Sequence, residues 1–144
     1  MANVIFNIAK GRLAQYADLP QSNDALILVP FAASGLGSDA TLVDCATLTA
    51  VKAAATEQTT LGRKTLSGVT VTVDNANDRV NIDAGDVTWT GTGGAAIGAV
   101  VICYDPDTTG GTDSDLIPLS KHDCAMTPDG TDFVLTINDF ARAS

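Results

Sequence analysis

Gly68-Val69-Thr70-Val71-Thr72-Val73-Asp74-Asn75-Ala76-Asn77-Asp78-Arg79-Val80-Asn81-Ile82-Asp83-Ala84-Gly85-Asp86-Val87-Thr88-Trp89-Thr90 decides the fold. Val and Ile recur at every second position, and Asp74 to Asp78 and Ala84 to Asp86 break the runs with residues that suit tight turns. Short extended runs at this spacing predict antiparallel strands, here Val69–Val73, Arg79–Asp83 and Val87–Thr90, rather than βαβ units. Downstream the pattern continues with strands expected at Ala96–Tyr104, Asp115–Leu119, Cys124–Thr127 and Phe133–Ile137. Gly91-Thr92-Gly93-Gly94, Thr109-Gly110-Gly111 and Pro128-Asp129-Gly130 separate them.

Upstream the sequence is mixed. Asn3 to Ile8 places Val4, Phe6 and Ile8 on one side at period two, with Ile5 pointing the other way, open to a neighbouring element or another chain. Leu13, Tyr16 and Ala17 suggest a short N-terminal helix ended by Pro20. Ala25 to Val29 is a continuous apolar run of the kind that forms a fully buried strand. Ser38 or Asp39 can cap one helix over about residues 39–55, with Leu42, Ala46, Ala50 and Ala53 or Ala54 on a stripe. Five β-branched residues within it, Thr41, Val43, Thr47, Thr49 and Val51, each cost a few tenths of a kcal/mol against Ala, so packing has to stabilise this helix. The expected architecture is mainly β: an antiparallel sandwich or barrel-like single domain over residues 1–144, with one helix at 39–55 and a short helix near the N-terminus.

Composition agrees. The chain has 144 residues, 45% of them apolar, which at this length is enough for a core without metal or disulfide staples. Sixteen acids are Asp and one is Glu57, a skew toward the residue that caps and turns rather than the one that decorates helix faces. Eight Lys and Arg against 17 acids leave a formal charge of −9, and only Arg63 and Lys64 are adjacent, so nucleic acid is not an expected partner. The longest apolar stretch, Ala95 to Tyr104, is half of the ~20 residues a membrane helix needs. No basic region precedes an apolar run at the N-terminus, so a secretory signal peptide is not expected. Cys45, Cys103 and Cys124 are odd in number and lack CxxC spacing, so reduced, packed thiols are expected rather than a disulfide framework or zinc site.

Each motif that suggests chemistry has a plainer structural alternative. Asp105 to Asp115 begins D-x-D with a glycine at the sixth position, as an EF-hand loop does, but Leu116 stands where the bidentate Glu would be. A strand connection with Asp side chains on turn N–H groups is the expected reading. His122 is the one side chain that titrates near neutrality unperturbed, so a histidine general base would have to use it. Strand alternation is expected to keep Asp123 and Cys124 from sharing its pocket, and no G-x-S-x-G elbow is present. Gly91 to Gly94 leads into a strand rather than the helix N-terminus a phosphate loop requires. Trp89 is expected in the core. No catalytic residue, metal ligand or cofactor site is assigned.

Several stretches together resemble a family of small structural proteins encoded with the head genes of tailed bacteriophages, the capsid decoration or cement proteins. They are Asn3 to Gly11, Gly62 to Leu66, Val87-Thr88-Trp89, Cys103-Tyr104-Asp105, Asp107 to Ser114, Ile117-Pro118-Leu119, His122-Asp123 and Asp139 to Ser144, spread over nearly the whole chain. The resemblance implies a virion protein made in the host cytoplasm, seated on the outer capsid surface and bridging subunits of the major capsid protein. It also implies a homo-oligomer, by analogy a trimer. The acidic charge suits the outside of a head better than the DNA-filled lumen. Residues 1–20 would then serve as a docking arm, with Ile5 and Phe6 at one end of the chain and Phe140 and Arg142 at the other as candidate partner contacts. A tail or baseplate protein, or a calcium- or carbohydrate-binding β module, are the alternatives.

Overall fold

The computed structural model describes residues 2–143. In chain order the elements are β1 (Val4–Ile5), a 3-10 turn (Asn7–Ala9), α1 (Leu13–Ala17), β2 (Ala25–Ala32), α2 (Asp39–Leu42), α3 (Leu48–Ala54), β3 (Lys64–Thr65) and β4 (Thr70–Asp74). They continue with β5 (Arg79–Asp83), β6 (Val87–Trp89), β7 (Ile97–Asp105), β8 (Ile117–Met126), β9 (Phe133–Leu135) and β10 (Ala141–Ala143). The fold is mainly β, as expected, and every strand pair is antiparallel.

Five strands in the order β1-β8-β7-β2-β3 form the central sheet. Its middle strands β2 and β7 are apolar at consecutive positions because both faces are covered, so neither shows alternation of polar and apolar residues. Leu26, Leu28, Val100, Ile102 and Tyr104 point to one core, where they meet Ile82, Val87, Trp89 and Leu13. Val29, Phe31, Val101 and Cys103, one residue out of step, point to the other, beneath Leu42, Leu48 and Val51. The result is layered: α2 and α3 on one face, and on the other α1 with two small sheets, β10-β5-β4 and β6-β9. The sheets do not close into a barrel. Phe31, Leu26, Leu28 and Val29 are completely buried, each contributing about 1.5–3 kcal/mol by leaving water. Trp89 is buried as expected, its indole N–H donating to the Gly62 carbonyl at 3.1 Å.

Strand ends move by one to three residues, and three expected elements are redrawn. The 39–55 helix is two helices, α2 and α3, because Thr47 adopts extended backbone and its Oγ1 accepts the Ala50 N–H at 3.2 Å, starting a new helix. The break frees the Val43 carbonyl to accept from the Asn7 N–H at 2.9 Å, and the Leu48 N–H donates to the Leu116 carbonyl at 3.0 Å. The two strands expected at Asp115–Leu119 and Cys124–Thr127 are replaced by one, β8 (Ile117–Met126), which runs through Ser120-Lys121-His122-Asp123. The Asn3–Ile8 strand stops after Ile5, where Phe6 enters the helix-side core and the chain turns, leaving Ile8 exposed.

Aspartates do much of the loop work. Asp107 and Asp129 each use Oδ1 to accept both the N–H and the hydroxyl of the Thr two residues later, with hydroxyl contacts of 2.6 Å in both cases. Gly91 to Gly94 lies beside the Asp129–Asp132 turn, the Thr92 N–H donating to the Thr131 carbonyl at 2.9 Å. Gly94 has φ +90°, and a Cβ there would sit 2.6 Å from Gln58 Nε2, which donates to the carbonyls of Gly93 and Ala95.

Candidate functional site

Both ends of the chain contribute to one cleft. β1 pairs with β8 at Val4 opposite Lys121 and Ile5 opposite Ser120. The end of β9 and the segment after it join them, so that Leu135, Ile137 and Phe140 line a cleft of about 420 Å³ together with Val4 and Ile5. His122, Cys124 and Asp139 also line it, and Leu28, Val100 and Ile102 form its apolar floor. Asn3, Asp123, Thr136 and Asn138 complete the lining, so the cleft is of mixed polarity and of a size that suits a small organic group or a partner side chain.

Of the candidate contact residues, Ile5 is half-buried and lines the cleft, and Phe140 is nearly buried and lines it too. Arg142 is exposed on β10 and bridges to Asp139 at 3.1 Å. Phe6 is completely buried in the chain's own core, so it has no free surface to offer a partner. Residues 2–20 are built into the body: the Ala2 N–H donates to Asp39 at 2.7 Å, Asn7 Nδ2 donates to Asp44 at 2.6 Å, and Ala9, Leu13 and Ala17 are core residues. An arm that swings free would have to take these residues out of the core.

His122, Asp123 and Cys124 all line the cleft, contrary to the separation expected from the sequence. Of the three, His122 and Cys124 are the pair that belongs to one face. They are two residues apart on one strand, and strand alternation places such residues on the same face. The His122 ring meets Phe140 edge-on, with 6.4 Å between centroids, and its Nε2 is 2.9 Å from Ser120 Oγ. Ser120 is completely buried, and Asp123 turns to Lys121 at 2.7 Å. Ser120 therefore orients the ring from inside the sheet rather than presenting its hydroxyl to the cleft.

Burial, and then the charge of Lys121, push the His122 pKa below its ordinary 6.5, against the opposing pull of Asp123. A folded-state pKa below the unfolded one makes the unfolded chain the better proton binder under about pH 6.5. Stability is then complete above 6.5 and falls as pH drops from there toward the folded value. Urea unfolding at about pH 7 and pH 5 should show this loss, and His122→Gln should flatten the slope in that window. An unchanged slope in the variant would assign the acid sensitivity to other groups.

The Asp105–Asp115 loop is a structural connection. Asp105 accepts the Asp107 N–H, Asp107 accepts Thr109, and Asp115 accepts the Thr112 N–H at 2.8 Å, each within the loop. Asp113 turns the other way, toward Arg63 and Lys52. The carboxylates thus diverge, and among the described residues no three His, Cys, Asp or Glu come together as a metal site would need. Cys45, Cys103 and Cys124 are all free thiols, Cys103 completely buried and pushed well above the ordinary thiol pKa by desolvation. No helix among the described residues is long and apolar enough to cross a membrane.

No family model, curated protein or solved structure matches the chain.

Proposed function

We propose that this chain is a bacteriophage virion structural protein, a cement or decoration protein that binds the outer capsid surface and bridges subunits of the major capsid protein. The observation that carries the reading is a shared cleft: Ile5 and Phe140, 135 positions apart in the sequence, line it together. A partner side chain entering there touches two segments that are far apart in the sequence. The chain-long resemblance to phage head proteins names the partner class, and the charge of −9 favours the outside of a DNA-filled shell. Adhesion of this kind works through buried area and shape and requires no reactive group.

Thr136 is exposed at the rim of the cleft, so a larger side chain there fills the cleft without touching the core. Thr136→Trp is expected to fold normally and to lose most of its retention on purified heads, measured as copies per head against the wild-type chain. Full retention by the variant would remove the cleft from the capsid contact. A wild-type chain that does not copurify with heads in fixed stoichiometry would end the capsid reading itself.

A further inference from the structure

The sheet margins of this molecule are not alike. β1 and β3 are two residues long, and β6, β9 and β10 are three. β4, at the edge of the β10-β5-β4 sheet, has five residues, Thr70-Val71-Thr72-Val73-Asp74, paired in unbroken register with β5 on one side only. Long straight edges expose a row of backbone donors and acceptors that invites another strand, and proteins usually blunt them with Lys, Pro, a bulge or a covering element. β4 contains no Lys or Pro and no bulge. Its one charge, Asp74, is already neutralised by Arg79 at 3.1 Å and accepts from Asn77 at 2.8 Å.

We propose that β4 is a self-pairing edge: two copies of this chain join their β4 strands antiparallel across a two-fold axis, making one continuous sheet from two three-stranded ones. The occupant follows from the sequence of the strand. In the antiparallel register that pairs all five residues, Thr72 faces Thr72 of the second copy, Val71 faces Val73, and Thr70 faces Asp74. No like charges oppose, the two Thr hydroxyls can bond across the axis, and the apolar residues match. Val71 and Val73 share the inner face of the sheet; Val71 packs against the core, whereas Val73 lies beyond it and is 66% exposed. Pairing places each Val73 beside the other copy's Val71 and covers it. A foreign strand could use the same hydrogen bonds, but the palindromic fit of side chains is specific to a second copy. The contact is isologous and small, below the area of a standard stable interface, so the free pair is weak. Many copies fixed side by side on a particle would raise its occupancy through effective concentration.

Sedimentation equilibrium of the full chain from about 10 μM to about 1 mM tests this, with a monomer–dimer equilibrium expected in that range. Thr72 is exposed, so charge is tolerated in the folded monomer. Thr72→Lys opposes two lysines across the axis and should weaken the dimer about tenfold or more, as should Thr72→Glu. An equimolar mixture of the two variants should re-associate, because this register alone sets the two substituted positions opposite each other. A wild-type chain that stays monomeric throughout overturns the proposal, as does self-association that Thr72→Lys leaves unchanged or that mixing fails to restore. A monomeric chain whose retention on particles is nevertheless lost in Thr72→Lys would also overturn it, and would assign the edge to a capsid strand.

Discussion

Arg63→Ala is expected to lower the free energy of unfolding by about 2–3 kcal/mol, roughly 5–10 °C in Tm. Arg63 forms two forks at once. Its Nε and Nη2 donate to the two Glu57 oxygens at 2.6 and 2.8 Å, while Nη1 and Nη2 donate to the two Asp113 oxygens at 2.7 and 3.0 Å. Lys52 reaches the same two carboxylates at 3.0 and 2.7 Å. Two cations and two anions thus fasten the end of α3, the chain before β3 and the Asp105–Asp115 loop. Glu57 is only 7% exposed, so without Arg63 a nearly buried carboxylate would share a single Lys with Asp113. Complete burial would put the loss at about 3–5 kcal/mol; Arg63 is about a third exposed, and the screening reduces it. Arg63→Lys should recover less than half, because an ammonium cannot form both forks. Arg63 is also the first cause holding Glu57 below its usual 4.5 and Asp113 at about 2. Depressed carboxylate values contribute stability that is full above the ordinary range and lost as pH falls through the folded values, so the stability difference between wild type and Arg63→Ala should be largest near neutrality and shrink as pH falls below about 4.5. Denaturant curves placing Arg63→Ala within about 0.5 kcal/mol of wild type would show that the charges are held together without holding the fold.

How much of this was legible depended on whether the signal was local. The runs Val69–Val73 and Arg79–Asp83 read directly as strands, the first of them observed one residue further on at Thr70–Asp74, because period-two alternation and the Asp74–Asp78 turn are adjacent in sequence. β8 did not, because Ser120 to Asp123 carries polar and charged side chains through its middle. Only the fold brings Asp39, 82 positions away, to Lys121. Asp105–Asp115 was readable as turn chemistry from its aspartates and Gly110-Gly111, but the partnership of Asp113 with Arg63, 50 positions distant, was not. The grouping of His122 with Cys124 was available from strand alternation alone, since the two are two residues apart. The cleft itself was invisible: its walls come from the first and last segments of the chain, and no periodicity relates Ile5 to Phe140. Phe6 had the pattern of a strand residue, and only the turn at Asn7 shows why it leaves the sheet for the helix-side core.

Lys121 carries the second large expected effect, and its two obvious substitutions should behave differently. Its side chain is completely buried, with Nζ 2.6 Å from Asp39 and 2.7 Å from Asp123, whereas both carboxylates reach solvent. Asp39 also accepts the Ala2 N–H, and the Asp123 N–H donates to Asn3 at 2.9 Å, so the group fastens the chain before β1 to α2 and β8. Lys121→Ala removes the long stem and leaves a cavity in the sheet under two facing carboxylates, a loss of about 2–4 kcal/mol. Lys121→Met keeps the volume and takes away the buried ammonium, while the carboxylates rehydrate from their open side. Its cost should stay within about 1 kcal/mol at neutral pH. The acid limb separates the two contributions further. Lys121 is the leading cause of the lowered Asp39 pKa, so wild-type stability from this carboxylate is full above the usual 3.8 and disappears as pH falls through the folded value. In Lys121→Met most of that pH-dependent loss should vanish, leaving the smaller effect of the Ala2 N–H. Equal destabilisation by Ala and Met would mean that charge pairing, not volume, seats the N-terminal strand. Val4 and Ile5 form one wall of the cleft, so the two variants should also divide on particles: Lys121→Met retained on heads, and Lys121→Ala released as that wall loosens.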